Sequence, residues 1–277
     1  TNTITTPGKN GTIIYSDQYG RPKQIRDARG ESTYFTYDVA GHLIEKTDAS
    51  GVKDHFHFDS LGRLTRQWKS TNSYTTESNY QIYDGLGRVT FAIDGSGSLQ
   101  ENTYDSLGNV VKTTKYAREV STETFGNVVS EATIRTLLSP WDGQDLITYF
   151  SYNKNNQITY EVSGDGQAKR YIYNGAGQIV GTAKYANKLE INRENLSYLQ
   201  AEVSDLLDRS SDLDIRDLTV FDTLGRERFV ASNEGQVREF FYDSHNNISA
   251  TITYSNPLTA DQLDSLWISP TTAMASI

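Results

Sequence analysis

The stretch YDGLGRVTFAIDGSG, residues 83–97, contains one four-residue frame twice, Asp84 to Gly87 and Asp94 to Gly97. Between them lies a short run that includes Val89, Thr90, Phe91 and Ile93. An Asp at the first position of a type I turn bonds back to the backbone, and a Gly at the fourth adopts the left-handed conformation without a Cβ clash. β-Branched and aromatic residues bounded by such turns read as a strand. The stretch therefore predicts turn, strand, turn, with the three-residue bulged hairpin as the local geometry.

The frame recurs along the chain. Aromatic-Asp-x-x-Gly, with Asn admitted at the Asp or Gly position, starts at Asp17, Asp38, Asp59, Asp84, Asp105, Asn153, Asn174, Asp222 and Asp243. Ser16 is the one predecessor that is not aromatic; the others are Tyr37, Phe58, Tyr83, Tyr104, Tyr152, Tyr173, Phe221 and Tyr242. Five residues after the Asp stands an apolar side chain, as at Leu43, Leu64, Val110 and Ile158, with Pro22 and Glu227 as departures. A second turn follows ten residues after the first, as at Asp27 to Gly30, Asp48 to Gly51 and Ser163 to Gly166. The unit of two turns and two strands is 21 residues, the step from Asp17 to Asp38. A fixed internal period marks a repeat architecture.

A longer period of 69 residues is laid over the first from about residue 80. Asp84, Asn153 and Asp222 are in phase, as are Asp105, Asn174 and Asp243, and Tyr116, Tyr185 and Tyr254 in the strings TTKYA, TAKYA and TITYS. Inserts at about 117–147, 186–217 and 255–277 replace the second turn of alternate units. The second insert spaces Leu196, Leu199, Val203, Leu206 and Leu207 on one helical face, with Asn192 as its cap. Thr259 with Gln262 forms a capping box, and SEATIRTLL predicts a shorter helix from a Ser130 cap, stopped by Pro140. The expected fold is mainly β, one hairpin array over residues 1–277 with short helical inserts at alternate hairpins. Because an open twisted sheet much beyond ~10 strands curls or splits, the array is expected to form a spiral sheet or partial shell.

The chain has 277 residues, of which 36% are hydrophobic, and carries 18 Tyr against one Met, so aromatic rings supply much of any core. Tyr suits half-buried sheet positions, with a packed ring and a hydroxyl expected to stay wet. A net charge of −9 argues against nucleic acid or an anionic membrane as partner, and no apolar run reaches transmembrane length. The absence of Cys excludes disulfides and thiolate metal sites.

The frames YDVAGHL, FDSLGRL, YDGLGRV, YDSLGNV and FDTLGRE resemble the YD repeat of the RHS family, which includes bacterial polymorphic toxins, toxin-complex shell proteins and teneurins. The resemblance spans about residues 12–255, and the KYA inserts look more like large bacterial RHS proteins. It implies long antiparallel strands spiralling into a hollow shell, often around a C-terminal toxin. The family's self-cleavage region has no match, so the chain is expected to be an internal piece of a longer secreted or surface-displayed bacterial protein. The implied partners are the rest of the parent shell and an encapsulated toxin.

Candidate chemistry is weak throughout. Asp38 and Asp59 fall at one edge, two strands apart, roughly 9.5 Å, within reach of an inverting carboxylate pair, yet each already has a turn to close. His55 and His57 share a strand face, but neighbouring units offer no third ligand at a matching position. The Gly-rich turns lack a phosphate-loop pattern. No catalytic, cofactor-binding or metal-binding residue is assigned, and no cofactor or enzymatic activity is expected. The sequence predicts a structural β-shell segment. The alternative is a module whose exposed Tyr rows bind glycans or a cell-surface receptor, and self-association through the end strands or inserts is expected.

Overall fold

A computed structural model of the chain describes residues 11–71, 74, 78–138, 143–190, 214–259, 261–263 and 266. These residues are mainly β, with 18 strands in an open antiparallel sheet and little helix. The chain divides into two compact units, Thr1–Thr103 with Thr113–Leu146, and Tyr104–Lys112 with Ile147–Ile277.

The strands of the first half are β1 (Ile13–Ser16), β2 (Pro22–Arg26), β3 (Ser32–Tyr37), β4 (Leu43–Thr47), β5 (Lys53–Phe58), β6 (Leu64–Ser70), β7 (Asn79–Tyr83), β8 (Val89–Ile93) and β9 (Leu99–Tyr104). They form a meander in which each strand pairs antiparallel with the next. The hairpin closed by an aromatic-Asp frame carries a bulge beside the aromatic residue: Thr36 faces Glu45, but Tyr37 faces Leu43. The second kind of turn has no such slip, Arg26 facing Ser32 directly. After β10 (Val110–Lys115) and the helix α1 (Glu131–Leu137), the strands are β11 (Leu146–Tyr152), β12 (Ile158–Ser163), β13 (Ala168–Tyr173), β14 (Ile179–Lys184), β15 (Ile215–Phe221), β16 (Glu227–Ala231), β17 (Val237–Tyr242) and β18 (Ile248–Thr253). β11 to β18 repeat the meander, with the same slips at Tyr152, Tyr173, Phe221 and Tyr242.

A lone sheet has two wet faces, so it needs a second layer to make a core. The inserts supply that layer. In the first unit, Tyr80 and Ile82 of β7, Phe91 and Ile93 of β8, and Leu99 of β9 are buried with Val129 and Ile134 from the first insert. In the second unit one core joins Ile147, Tyr149, Tyr160, Val162, Ala168 and Ala183 to Tyr185 and Leu189, and another joins Leu218, Ala231 and Val237 to Leu266. Burying a side chain such as Phe91 completely contributes roughly 1.5–3 kcal/mol. From residue 11 to 64, where no insert interrupts the hairpins, no described residue is fully buried.

Each insert is tied down in the same way. The Tyr116, Tyr185 and Tyr254 N–H groups donate to Leu99, Ala168 and Val237 carbonyls at 2.9, 3.0 and 3.0 Å. Four residues on, Val120, Leu189 and Leu258 N–H groups each donate to a second-turn glycine, Gly97, Gly166 and Gly235, all at 2.8 Å. The Ala117 and Ala186 N–H groups donate to Asp145 and Asp214 at the far end of their inserts, at 2.9 and 2.8 Å. α1 starts at the predicted Ser130, whose hydroxyl accepts from Thr133 N–H at 3.1 Å, and it buries Ile134. The Thr259–Gln262 capping box is formed in both directions. Asn192, Leu196, Leu199, Val203, Leu206 and Leu207, and Pro140, lie outside the described residues.

The glycines beneath the straps separate two costs. Gly20 and Gly166 both have a positive φ, 80° and 90°. An added Cβ at Gly20 meets nothing within 4 Å, whereas at Gly166 it would run into the Leu189 carbonyl. Gly20→Ala should cost only the left-handed penalty, ~1–2 kcal/mol. Gly166→Ala should cost ~1–3 kcal/mol more through overpacking. Chemical denaturation of the two variants measures the difference, and equal losses would mean that the strap does not bear on that glycine.

Candidate functional site

The side chains with the most chemistry are those of the frames, and the structure assembles them into a relay from one hairpin to the next. Asp84 Oδ1 accepts the Leu86 and Arg88 N–H groups, both at 2.9 Å, and Oδ2 accepts Arg88 Nε at 2.7 Å. Asp17, Asp59 and Asp222 do the same with Arg21, Arg63 and Arg226. The oriented guanidinium then lies over the aromatic ring of the following frame. Arg21 sits 4.5 Å from the Tyr37 centroid, Arg63 4.6 Å from Tyr83 and Arg226 4.4 Å from Tyr242. At Asp38 the fourth-following residue is His42, which stacks on Phe58 at 4.7 Å instead.

The frame tyrosine closes the link. Tyr37, Tyr83, Tyr152, Tyr173 and Tyr242 hydroxyls donate to the carbonyls of Pro22, Leu64, Val110, Ile158 and Glu227 at 2.8–3.0 Å. The hydroxyl expected to remain in water is therefore a fixed structural donor. Its acceptor needs only a carbonyl, which is why Pro22 and Glu227 serve at a position otherwise apolar. The two Asn frames build a neutral version, in which Asn174 bonds Gln178, and Gln178 Nε2 reaches the Gly225 carbonyl at 3.0 Å. Asn156 and Asn246, in the place of the frame glycine, take φ of 57° and 64°, a conformation Asn tolerates better than other side chains.

The remaining candidates are also engaged. His55 Nε2 is 2.6 Å from Ser70 Oγ and its ring stacks on Trp68 at 4.8 Å; His57 Nδ1 is 2.8 Å from Thr65 Oγ1. Arg66 covers Trp68 at 4.4 Å. Among the described residues no group of three His, Cys, Asp or Glu is placed to hold a metal ion, and no helix is long and apolar enough to cross a membrane. Asp38 and Asp59 each close their own turn. An open groove of about 640 Å³ lies between two second-type turns, lined by Glu31, Ser32, Tyr34, Thr47 and Asp48, with Tyr34 49% exposed.

Three sets of structural residues emerge only with the fold. The residue four after each frame Asp was not singled out, because Arg, His, Asn and Gln there share hydrogen-bonding ability and not identity. The Glu101 and Glu239 partners of Tyr116 and Tyr254, each at 2.6 Å, were hidden because Arg170 stands in phase between them. Burial first, then the bond to Glu101, raises the Tyr116 hydroxyl well above its ordinary value. Of the three, only Asp145 and Asp214 carry a signal in the sequence, their spacing of 69 residues.

Residues 17–53 match the RHS repeat family. No curated protein sequence matches the chain. Among solved structures, the chain is similar to TcdB2-TccC3-Cdc42, with a TM-score of 0.62 at 14% identity over 88% of this chain and 11% of that one. A Photorhabdus luminescens Tc holotoxin pore gives 0.63 at 15% identity over the same shares, 88% and 11%. TcdB2–TccC3 alone gives 0.62 at 13%, again 88% and 11%. The likeness is one of fold, and the chain spans about a ninth of those proteins' length.

The frame carboxyls predict how the fold responds to acid. Backbone N–H donors, from Arg88, Arg226 and Asn247 first, hold Asp84, Asp222 and Asp243 below the usual carboxylate range. Ser50 and Ser96 hydroxyls do so first at Asp48 and Asp94. A depressed folded value means that their stabilisation is complete above the unfolded value of ~3.9 and is lost as pH falls through the folded values. Unfolding followed by circular dichroism should therefore set in below about pH 4. Asp84→Asn, which imitates the Asn153 and Asn174 frames, should make the acid loss shallower, whereas an unchanged slope would remove this carboxyl from the acid response.

Proposed function

We propose that this chain, of which residues 17–53 match the RHS repeat family, is a wall segment of a large toxin-complex-type shell, secreted or displayed at the surface of a bacterium. The observation that carries the reading is that the frame side chains are engaged with one another. Asp holds Arg, Arg covers the next Tyr, and Tyr returns to the backbone, and among the described residues no group of three His, Cys, Asp or Glu is placed to hold a metal ion. The likeness in fold to toxin-complex components over 88% of the chain supports the same reading. The rest of such a wall would be the chain's main partner, and an enclosed toxin its cargo. Turnover of a substrate is not part of the reading. Single-particle imaging of the longer protein that carries this segment should show its strands side by side in the wall of a hollow particle. A segment lying outside any wall would overturn the proposal.

A second reading, glycan or receptor binding, is favoured by one feature, the groove under Tyr34. Trp68 is a poor sugar platform, because Arg66 and His55 already lie against its ring. A glycan array with the wild-type chain and Tyr34→Ala separates the readings. The wall reading expects no selective retention, and retention that Tyr34→Ala abolishes would establish the binding reading instead.

A further inference from the structure

One place on the sheet occurs in three versions, one in each 69-residue period. Ala92, Glu161 and Val230 are in phase, as are Gln100, Lys169 and Arg238, and Asn102, Tyr171 and Phe240. The first member of each version faces the second directly across its ladder. In the first version Gln100 Nε2 donates to Asn102 Oδ1 at 3.0 Å. In the second, Lys169 Nζ lies 4.7 Å from the Tyr171 centroid, and the Tyr171 hydroxyl donates to Glu161 at 3.0 Å. Both of these versions close on themselves.

The third version is open. Val230 stands in the place of the glutamate, and among the described residues the Arg238 side chain makes no hydrogen bond, ion pair or ring contact. Ser163 donates to Asp165, and Gln167 to the Tyr185 carbonyl. The side chains of their counterparts, Ser232 and Gln236, have no partner among the described residues. The flanking residues shrink as well. Thr219 faces Val230 where Phe150 faces Glu161, and Thr253 faces Arg238 where Lys184 faces Lys169. Here a groove of about 310 Å³ opens, lined by Glu227, Val230, Ser232, Gln236, Arg238 and Phe240. It lies on β16 and β17, each of which has a described strand on both sides. Ala231 and Val237, which alternate with the groove residues, face the insert on the other side of the sheet.

We propose that this groove docks an acidic segment of a partner protein, one glutamate side chain of which takes the place that Glu161 holds one period earlier. The second version shows what such a set of side chains retains, a glutamate beside a cation and an aromatic ring. Phe240 lacks the hydroxyl that Tyr171 uses, and Arg238 brings in place of Lys169 a planar fork that holds a carboxylate through two N–H groups. The carboxylate lies toward the second turn, where Gln236 and Ser232 offer donors to the carbonyls of the segment. Glu227 stands at the opposite end of β16, away from that charge. The methylene stem of the glutamate packs on Val230 and Phe240. Ligand sites run from roughly 300 to 1,000 Å³, so this one takes a side chain with its flanking backbone. A net charge of −9 opposes acidic ligands elsewhere on the chain, which leaves the unpaired Arg238 to select the place. The site goes beyond the wall reading and does not depend on it.

The test uses the 277-residue chain and the capped tripeptides Ala-Glu-Ala and Ala-Gln-Ala, titrated by ligand-observed NMR. Ala-Glu-Ala should bind saturably and Ala-Gln-Ala roughly tenfold more weakly, the scale of one charge-assisted hydrogen bond. Arg238→Gln should cause a loss of the same size. Val230→Glu, which restores the acid of the preceding period, should occupy Arg238 from within and abolish binding. Glu227→Gln should tighten binding, an effect that a misfolded chain cannot give. Absence of binding overturns the proposal, as does equal binding of the two peptides or binding that survives Arg238→Gln. Glucuronate bound at Arg238 more tightly than the peptide makes the ligand an acidic sugar, and a dimer in sedimentation that Arg238→Gln dissolves makes it a second copy. Either result displaces the partner segment.

Discussion

The carboxylate or carboxamide that opens each frame does two things that no other group in the repeat can do. Its Oδ1 gathers the N–H groups two and four residues on, which closes the turn and lets the frame glycine, or Asn, pass through the left-handed region. Its other terminal atom grips the side chain four residues on and aims it at the next hairpin. Local closure and the bond between neighbouring repeats thus depend on one side chain. An isolated two-stranded hairpin is marginal in water. A chain of hairpins, each holding the aromatic ring of the next, can be stable with little core.

The cores that do exist belong to the inserts. Where an insert crosses the sheet, side chains such as Phe91, Leu99 and Ala168 become fully buried. Where none is present, as in β1 to β5, side chains stay half-exposed on both faces. Stability there falls to polar and stacking contacts, including Lys53 with Glu45 at 3.0 Å and His55 on Trp68. Exposed ion pairs add little, so this part of the sheet is expected to be less stable than the parts an insert covers.

The strap and the turn glycine are matched. The insert backbone lies so close to Gly97, Gly166 and Gly235 that a side chain there would strike a carbonyl oxygen, and the same glycines supply the acceptors that hold the strap. A turn residue selected for a positive φ thereby also sets how near the second layer approaches. With Asp145 and the buried Asp214 at the straps' returns, the first two inserts have a fixed entry and exit.

The sequence alone determined the turns, the strands between them, the 21- and 69-residue periods and the antiparallel hairpin class, because these rest on φ at Gly20 or Gly87 and on Asp side chains bonding within five residues of themselves. It also located the Ser130 and Thr259 caps, which are equally local. It could not show that Arg63 would lie over Tyr83, that Tyr83 would bond the Leu64 carbonyl, or that the KYA tyrosine would lead a strap across a second-turn glycine. Those partners are some twenty residues or more apart and meet only once the strands are in register. Nor could it separate the buried Phe91 from the half-exposed Phe56, two strand aromatics of the same local kind. Only the tertiary structure decided that, because burial is fixed by which face an insert covers, and a strand's own sequence says nothing about what lies above it.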